Sequence, residues 1–241
     1  SEKRKNLATQ ADVDALFAEY ERDWLPTQGP ALAKLRAWLD AGERVAANAD
    51  LTDPASVTAM MAAVHERVGG LDILVLNASG GMESGMGEDY ALKLNRDAQV
   101  NVLTSGTELM GPGGRVVFVT SHQAHFIRTV PTMPEYEAVA SSKRAGEDAL
   151  RALVPELEAK GIGFTVVSGD MIEGTITATL LERAAPGAID ARKEAAGKLY
   201  NVSEFAAEVA QAAVDPVPAD NTRIVGDVSY FTAFGADAAG E

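Results

Sequence analysis

The sequence predicts an α/β fold built on a doubly wound parallel sheet, and three observations carry that expectation. Short runs rich in Val and Ile, of strand length and with little polar alternation, recur along the chain, the pattern of strands covered on both faces. Longer stretches of helical period lie between them, so the chain repeats βα units. With 241 residues, 46% of them hydrophobic, it can bury one sizeable core.

The elements follow in order. Residues 1–41 contain no strand pattern. ATQADVDALFAEYERDWL (8–25) has an acidic helical period, Pro26 and Gly29 break it in a turn (26–30), and ALAKLRAWLDAG (31–42) resumes a helix that Gly42 ends. An atypical helical segment (1–41) thus precedes an α/β domain (42–241). GERVAANAD (42–50) is the first expected strand. Asp53 is placed to cap a helix that starts at Pro54 and runs to residue 68. Val57, Met60, Met61, Val64 and Val68 form its apolar stripe. LDILVLNAS (71–79), GRVVFVTS (114–121), GIGFTVVSGD (161–170) and TRIVGD (222–227) are the further strands, and 87–109, 140–160 and 203–214 the further helices.

Charge and composition exclude several classes. Lys and Arg total 21 against 35 Asp and Glu, a formal charge of −14, so the averaged field repels phosphate backbones and anionic membrane surfaces. Neither nucleic acid nor membrane is an expected partner. The chain has no cysteine, which removes disulfides and thiolate chemistry and accords with a reducing compartment. No apolar run approaches the ~20 residues of a membrane span, and residues 1–27 lack the apolar centre of a secretory signal. A cytoplasmic location is the expectation. Three histidines without HExxH-like spacing give metal binding no support. His65 is expected on a helix surface, and His122 and His125 in the loop after Ser121.

One polar residue stands out against its helix. Asn95, in LKLNRDAQ, occupies a helix interior, where Asn competes for backbone hydrogen bonds. Asp50 and Asn77 stand at turns bordering strands, where Asp and Asn serve as turn residues or as ligands.

DLTD (50–53), LNASGG (76–81), Asn95, VTS (119–121), SSK (141–143) and SGDMIEGT (168–175) fall in the order and spacing of the short-chain dehydrogenase/reductase family. From about Gly42 to Asp227 the chain resembles that family, which implies a Rossmann-like fold binding a nicotinamide coenzyme beyond the carboxyl ends of the strands. Asn77, Ala78, Ser79 and Gly80 resemble the family's Asn-Asn-Ala-Gly turn, with Leu76 in place of its first Asn and Ser79 of its Gly. The resemblance assigns Asp50 to the adenine, and Gly169 with Thr175 to the nicotinamide end. Ser168 replaces a proline there. The basic segment SEKRK (1–5) corresponds to the one that meets the 2′-phosphate, so NADP is expected in preference to NAD.

Reducing a carbonyl by hydride builds negative charge on its oxygen, so the site needs a proton donor and a second hydrogen bond to that oxygen. In the family a tyrosine serves, its pKa of ~10 lowered by a lysine ammonium. That lysine, matched by Lys143, also binds the coenzyme ribose. A serine, matched by Ser121, is the second donor. The tyrosine stands four residues before the lysine, yet in YEAVASSK (136–143) that position is Val139. Either the helix register follows VASSK and the acid is lost from its place, or the chain from Tyr136 to Ser141 is not yet helical and Tyr136 reaches the same point. Ser121, His122 or water are the other proton sources.

A second departure concerns the nucleotide half. The family begins with a strand and a Gly-rich turn that cradles the pyrophosphate, whereas Gly29 is the single glycine before Gly42. A partner chain completing the sheet is one consequence. The helices at 87–109 and 140–160 match those through which family members pair, so a homodimer is expected. GGMESGM (80–86) and FIRTVPTMPEY (126–136) would line the pocket of a small, largely apolar substrate. The expected activity is NAD(P)-dependent reduction of a carbonyl or oxidation of an alcohol. The alternatives are a binding or scaffold subunit without redox activity, and a non-redox lyase or isomerase in the same pocket.

Overall fold

The structure, a computed structural model, describes residues 49–81, 87 and 89–237. The expectations for residues 1–41, and for the strand at 42–50 as far as residue 48, lie outside the described residues, as does 82–86 of the expected pocket wall.

Four parallel strands form the main sheet in the order β1 (Leu71–Leu76), β2 (Met110–Ser121), β3 (Gly163–Gly169) and β6 (Thr222–Val225). Two short strands, β4 (Ile172–Glu173) and β5 (Tyr200–Asn201), pair beside it, also in parallel. Successive residues of a strand point to opposite faces, and both faces are covered. Val116, Phe118, Phe164 and Val166 pack with Val57, Met61, Leu103 and Leu150. Val117, Val167 and Val225 pack on the other side with Ala212 and Ala213. Two faces buried against helices are the doubly wound arrangement the apolar runs predict.

Helix α1 (Pro54–Val68) spans the predicted residues, and the Asp53 carboxylate accepts from the Ala55 amide at 3.0 Å as the N-cap. Its stripe buries Val57 and Met61 but leaves Val68 exposed. The expected helix at 87–109 is three pieces: α2 (Tyr90–Leu92), a π-helical turn (Lys93–Asp97) and α3 (Ala98–Thr107). The expected helix at 140–160 starts earlier, after a 3-10 turn at Pro134–Tyr136, and divides into α5 (Glu137–Ala152) and α6 (Val154–Ala159). Pro155 has no N–H to continue the first ladder, which accounts for the division. Helix α9 (Val202–Ala212) opens with a capping box of Asn201 and Glu204.

Four helices escape the sequence reading: α4 (His122–His125), α7 (Ile176–Ala184), α8 (Ala188–Ala196) and α10 (Ser229–Asp237). α8 buries none of its residues, so no apolar stripe advertises it. Among the described residues no helix is long and apolar enough to cross a membrane.

Candidate active site

Parallel pairing brings all the strand ends to one edge. Ser121 is the register partner of Gly169, and Gly169 of Val225, while Leu76 at the end of β1 lies beside Phe118. The residues that follow β1, Asn77, Ala78 and Ser79, are exposed at this edge. Most of the site residues singled out in the sequence therefore meet at the carboxyl ends of the sheet.

Asn95 is buried in the π-helical turn, and its amide is fully used. Its Nδ2 donates to the Gly80 carbonyl (2.8 Å) and to Ser142 Oγ (2.9 Å), while its Oδ1 accepts from the Gly80 amide (3.2 Å). Ser142 Oγ in turn donates to the Val139 carbonyl. Asn95 thus ties the turn after β1 to the helix that carries Lys143. The same turn has a second tie that sequence reasoning missed. Gln99, also buried, donates from Nε2 to the Ala78 carbonyl at 2.7 Å. Its signal was a second polar residue one helical turn after Asn95.

α5 lies close against this region. A Cβ at Gly146 would overlap the Asn95 carbonyl oxygen, so only glycine lets the two helices meet there. Gly81, at φ 114°, is likewise boxed in by Ala91 and by Val139 Cγ2.

Because α5 is helical from Glu137, Val139 stands one turn before Lys143 on the same helix. The reading in which the chain is not yet helical between Tyr136 and Ser141 is corrected: the register follows VASSK. Tyr136 forms the end of the preceding 3-10 turn. It is 5% exposed and packs with Ala124, Val139, Ala140 and Leu181, with Ile127, Met133 and Met171 alongside. Its hydroxyl makes no hydrogen bond to a described residue. Lys143 is half-buried, and among the described residues its ammonium has no hydrogen-bond or ion-pair partner.

Ser121 ends β2, and its oxygen caps α4 by accepting from the Ala124 amide at 3.4 Å. That bond uses a lone pair and leaves the hydroxyl proton free to donate. His122 is 1% exposed, with Nδ1 at 2.8 Å from Ser168 Oγ and its ring edge-on to Phe126 and Phe231. Burial pushes its pKa down to about 4 against a smaller upward pull from Asp170, so the ring is neutral at pH 7. His122 as an imidazolium proton source is thereby removed. His125 instead meets the fully buried Glu147 of α5 at 2.9 Å, and Arg151 Nε donates to the same carboxylate.

The expected coenzyme-loop residues have local partners. Asp50 accepts from the Thr52 amide and hydroxyl in a turn. Thr175 Oγ1 caps α7 at the Ala178 amide and donates to the Ile172 carbonyl. Gly169 is packed under Phe205, whose ring a Cβ would strike. Asp170, which the sequence did not mark, holds Arg192 through two oxygens. Among the described residues no His, Asp and Glu cluster is arranged to hold a metal.

Comparison with known proteins adds a family. Residues 24–217 match the sequence model of a family described as Enoyl-(Acyl carrier protein) reductase. No curated protein sequence matches the chain. Among solved structures it is similar to a short chain dehydrogenase from Burkholderia cenocepacia J2315 in complex with NADP, at 23% identity and TM-score 0.64, covering 83% of each chain. It is also similar to a short-chain dehydrogenase/reductase, described as a glucose/ribitol dehydrogenase, from Brucella melitensis. There the identity is 23% and the TM-score 0.62, over 79% of this chain and 81% of that one. A dehydrogenase/reductase from Sinorhizobium meliloti 1021 follows at 22% and 0.59, over 84% and 81%.

Proposed function

The chain belongs to the short-chain dehydrogenase/reductase family of NAD(P)-dependent oxidoreductases, and from that premise we propose that it reduces the carbonyl of a small, largely apolar substrate, or oxidises the corresponding alcohol. The observation that carries this reading is the set of unspent donors at the strand ends: the Ser121 hydroxyl and the half-buried Lys143 ammonium, beside a turn held open by Asn95.

The residues present fit a nicotinamide dinucleotide. Asn77, Ala78 and Ser79 are exposed, while Gln99 holds the Ala78 carbonyl and Asn95 the Gly80 backbone that follows, a surface on which adenosine can lie, with Asp50 toward the adenine. Gly169 and Thr175 shape the loop for the nicotinamide end. Lys143 would hold the ribose, and Ser121 would donate to the carbonyl oxygen. The Burkholderia relative is in complex with NADP, which with the basic SEKRK segment supports NADP over NAD. When bound, the coenzyme supplies the hydride.

With α5 helical from Glu137, the path first expected for Tyr136 is gone, and the acid we propose is Tyr136 acting from the end of the 3-10 turn. Val139 cannot donate a proton, His122 is neutral and engaged with Ser168, and the Asn95 amide is spent. Tyr136 belongs to an apolar cluster against which Met171, two residues beyond Gly169, also packs, and Lys143 lies seven residues along. Met133, Ile127, Met171 and Leu181 around it favour an apolar substrate. A homodimer working in the cytoplasm, with a partner strand beside β1 as a further option, completes the proposal.

NADPH oxidation against a panel of apolar ketones and aldehydes, with nucleotide fluorescence titration alongside, tests it. Turnover that Lys143→Ala abolishes is expected. Neither binding nor turnover would sink the reading. Nucleotide binding without turnover would favour a binding subunit, which Val139 in the acid's usual place supports.

A further inference from the structure

Between β4 and β5 the chain makes an excursion, from Gly174 to Leu199, closed at its base by the pairing of Ile172 with Tyr200 and of Glu173 with Asn201. The two helices of this excursion are held in different ways. α7 buries Ala178 and Leu181, and Leu181 enters the apolar cluster around Tyr136. α8 buries nothing, so apolar burial contributes little to its place.

Ionic and capping contacts hold α8 instead. Glu182 of α7 accepts from the Gly187 and Ile189 amides, and exposed Lys193 meets Glu173; both partners belong to the excursion or its base. Exposed Lys198, beyond Gly197, meets Glu204 of α9. Within α8, Arg192 alone reaches the body of the protein through side-chain hydrogen bonds among the described residues. Its Nε and Nη2 donate to the Asp170 carboxylate at 2.8–3.0 Å, and Nη2 also donates to the Asp227 carbonyl at 3.1 Å. Its guanidinium lies 5.5 Å from the centre of the Phe231 ring, which stacks on Phe126 at the end of α4. Both sides of the pair are largely shielded from water, which strengthens them. Gly187 (φ 89°) and Gly197 (φ 72°) flank the helix, both at a positive φ that glycine takes at no steric cost and with the backbone freedom of glycine.

We infer that Arg192 is a positioning residue: by gripping Asp170 it fastens α8 over the coenzyme loop and holds the Gly169–Thr175 segment in its working place. Breaking the grip frees α8 about its two glycines while α7 stays docked. The coenzyme loop then loses its outer support, and substrate is held less well at the same chemical centre. The kinetic part of this inference rests on the proposed oxidoreductase function; the structural part does not.

Thermolysin digestion of the full-length protein tests the structural part without any assay of activity. Arg192→Met keeps the apolar stem and removes the fork. It is expected to speed cleavage within residues 187–197 by about tenfold or more, the factor that loss of a charge-assisted pair gives, with other sites unchanged. Arg192→Lys should fall between. Lys193→Met, which cuts only the exposed pair on the same helix, should match wild type. In steady-state kinetics Arg192→Met should raise the carbonyl KM by about tenfold, with a smaller effect on kcat. Unchanged cleavage at 187–197 overturns the inference, as does cleavage that rises uniformly along the chain, the mark of a general loss of stability. Local cleavage as expected in a protein that turns over no carbonyl would leave the fastening intact and overturn the proposed function.

Discussion

A single residue decides how the site moves its proton. Val139 stands where an acid would be expected, one turn before Lys143, and Tyr136 approaches from the end of the preceding turn. Tyr136→Phe keeps the ring in its apolar cluster, so folding should persist while turnover falls by about 10²–10⁴-fold, the contribution of a positioned proton donor. Nucleotide titration should be unchanged. Full activity in Tyr136→Phe together with none in Ser121→Ala would move proton supply to Ser121 or solvent. Val139→Tyr is the cross-check: a gain in rate would mean the site works without an acid in its usual place. His122 makes a different prediction. Its folded pKa, about 4, lies below the ordinary 6.5 of a histidine, so protons favour the unfolded chain between those values. Its contribution to stability is present above pH 6.5 and is lost as pH falls toward 4. Urea unfolding at pH 7 and pH 5 should show a smaller drop in His122→Gln than in wild type.

At the scale of elements, α5 does two things: it presents Lys143 and it buries a charge. Burial alone would raise the pKa of Glu147, but hydrogen bonds and charge from His125 and Arg151 outweigh it and hold the carboxyl below the usual range. A lowered carboxyl pKa stabilises the fold above the unfolded value, and that stability is lost as pH falls through the folded one. Glu147→Ala leaves Arg151 and His125 facing an empty site and should cost about 3–5 kcal/mol in urea unfolding at pH 7. A cost under 1 kcal/mol would show the charges re-solvating freely. Gln99, which holds the turn after β1 at Ala78 as Asn95 does at Gly80, makes the companion prediction. Gln99→Met should raise the coenzyme KM several-fold, since the Ala78 carbonyl loses its buried donor, a bond of about 1 kcal/mol. Unchanged coenzyme KM would make Gln99 a packing residue only. Of these elements, α1 was legible from its cap and stripe, and Asn95 from its discord with a helix interior. The Tyr136 register was not, because Pro134 and the turn residues before it hide where α5 starts. α8 was invisible because it is held by ions rather than by an apolar face.

At the scale of the whole molecule, the parallel, doubly wound sheet was legible because parallel strands must be joined by crossover helices, which separate the apolar runs along the chain. What stands beside β1 was not: Ile73 and Val75 are exposed on a strand whose described neighbour is β2 alone, and the residues before 49 lie outside the described part. Assembly is the property that joins these scales. α3 and α6 border a groove of about 120 Å³ lined by Leu103, Thr107, Leu153 and Leu157, with Glu108, Glu156 and Lys160 beside them and exposed Thr104 also lining it. A two-fold axis through this face would use the same patch twice. Each chain carries a charge of −14, so two copies repel at long range, and the repulsion is screened over about 10 Å at 0.1 M salt. The dimer should therefore tighten as salt rises, the reverse of an association driven by opposite charges. Light scattering at micromolar concentration should give twice the chain mass at 0.3 M salt and a lower average at 0.01 M. Thr104→Arg, placed in the groove, should yield monomer at both with an unchanged circular dichroism spectrum. A wild-type monomer at high salt would remove the dimer, and a dimer that survives Thr104→Arg would place the interface on another face.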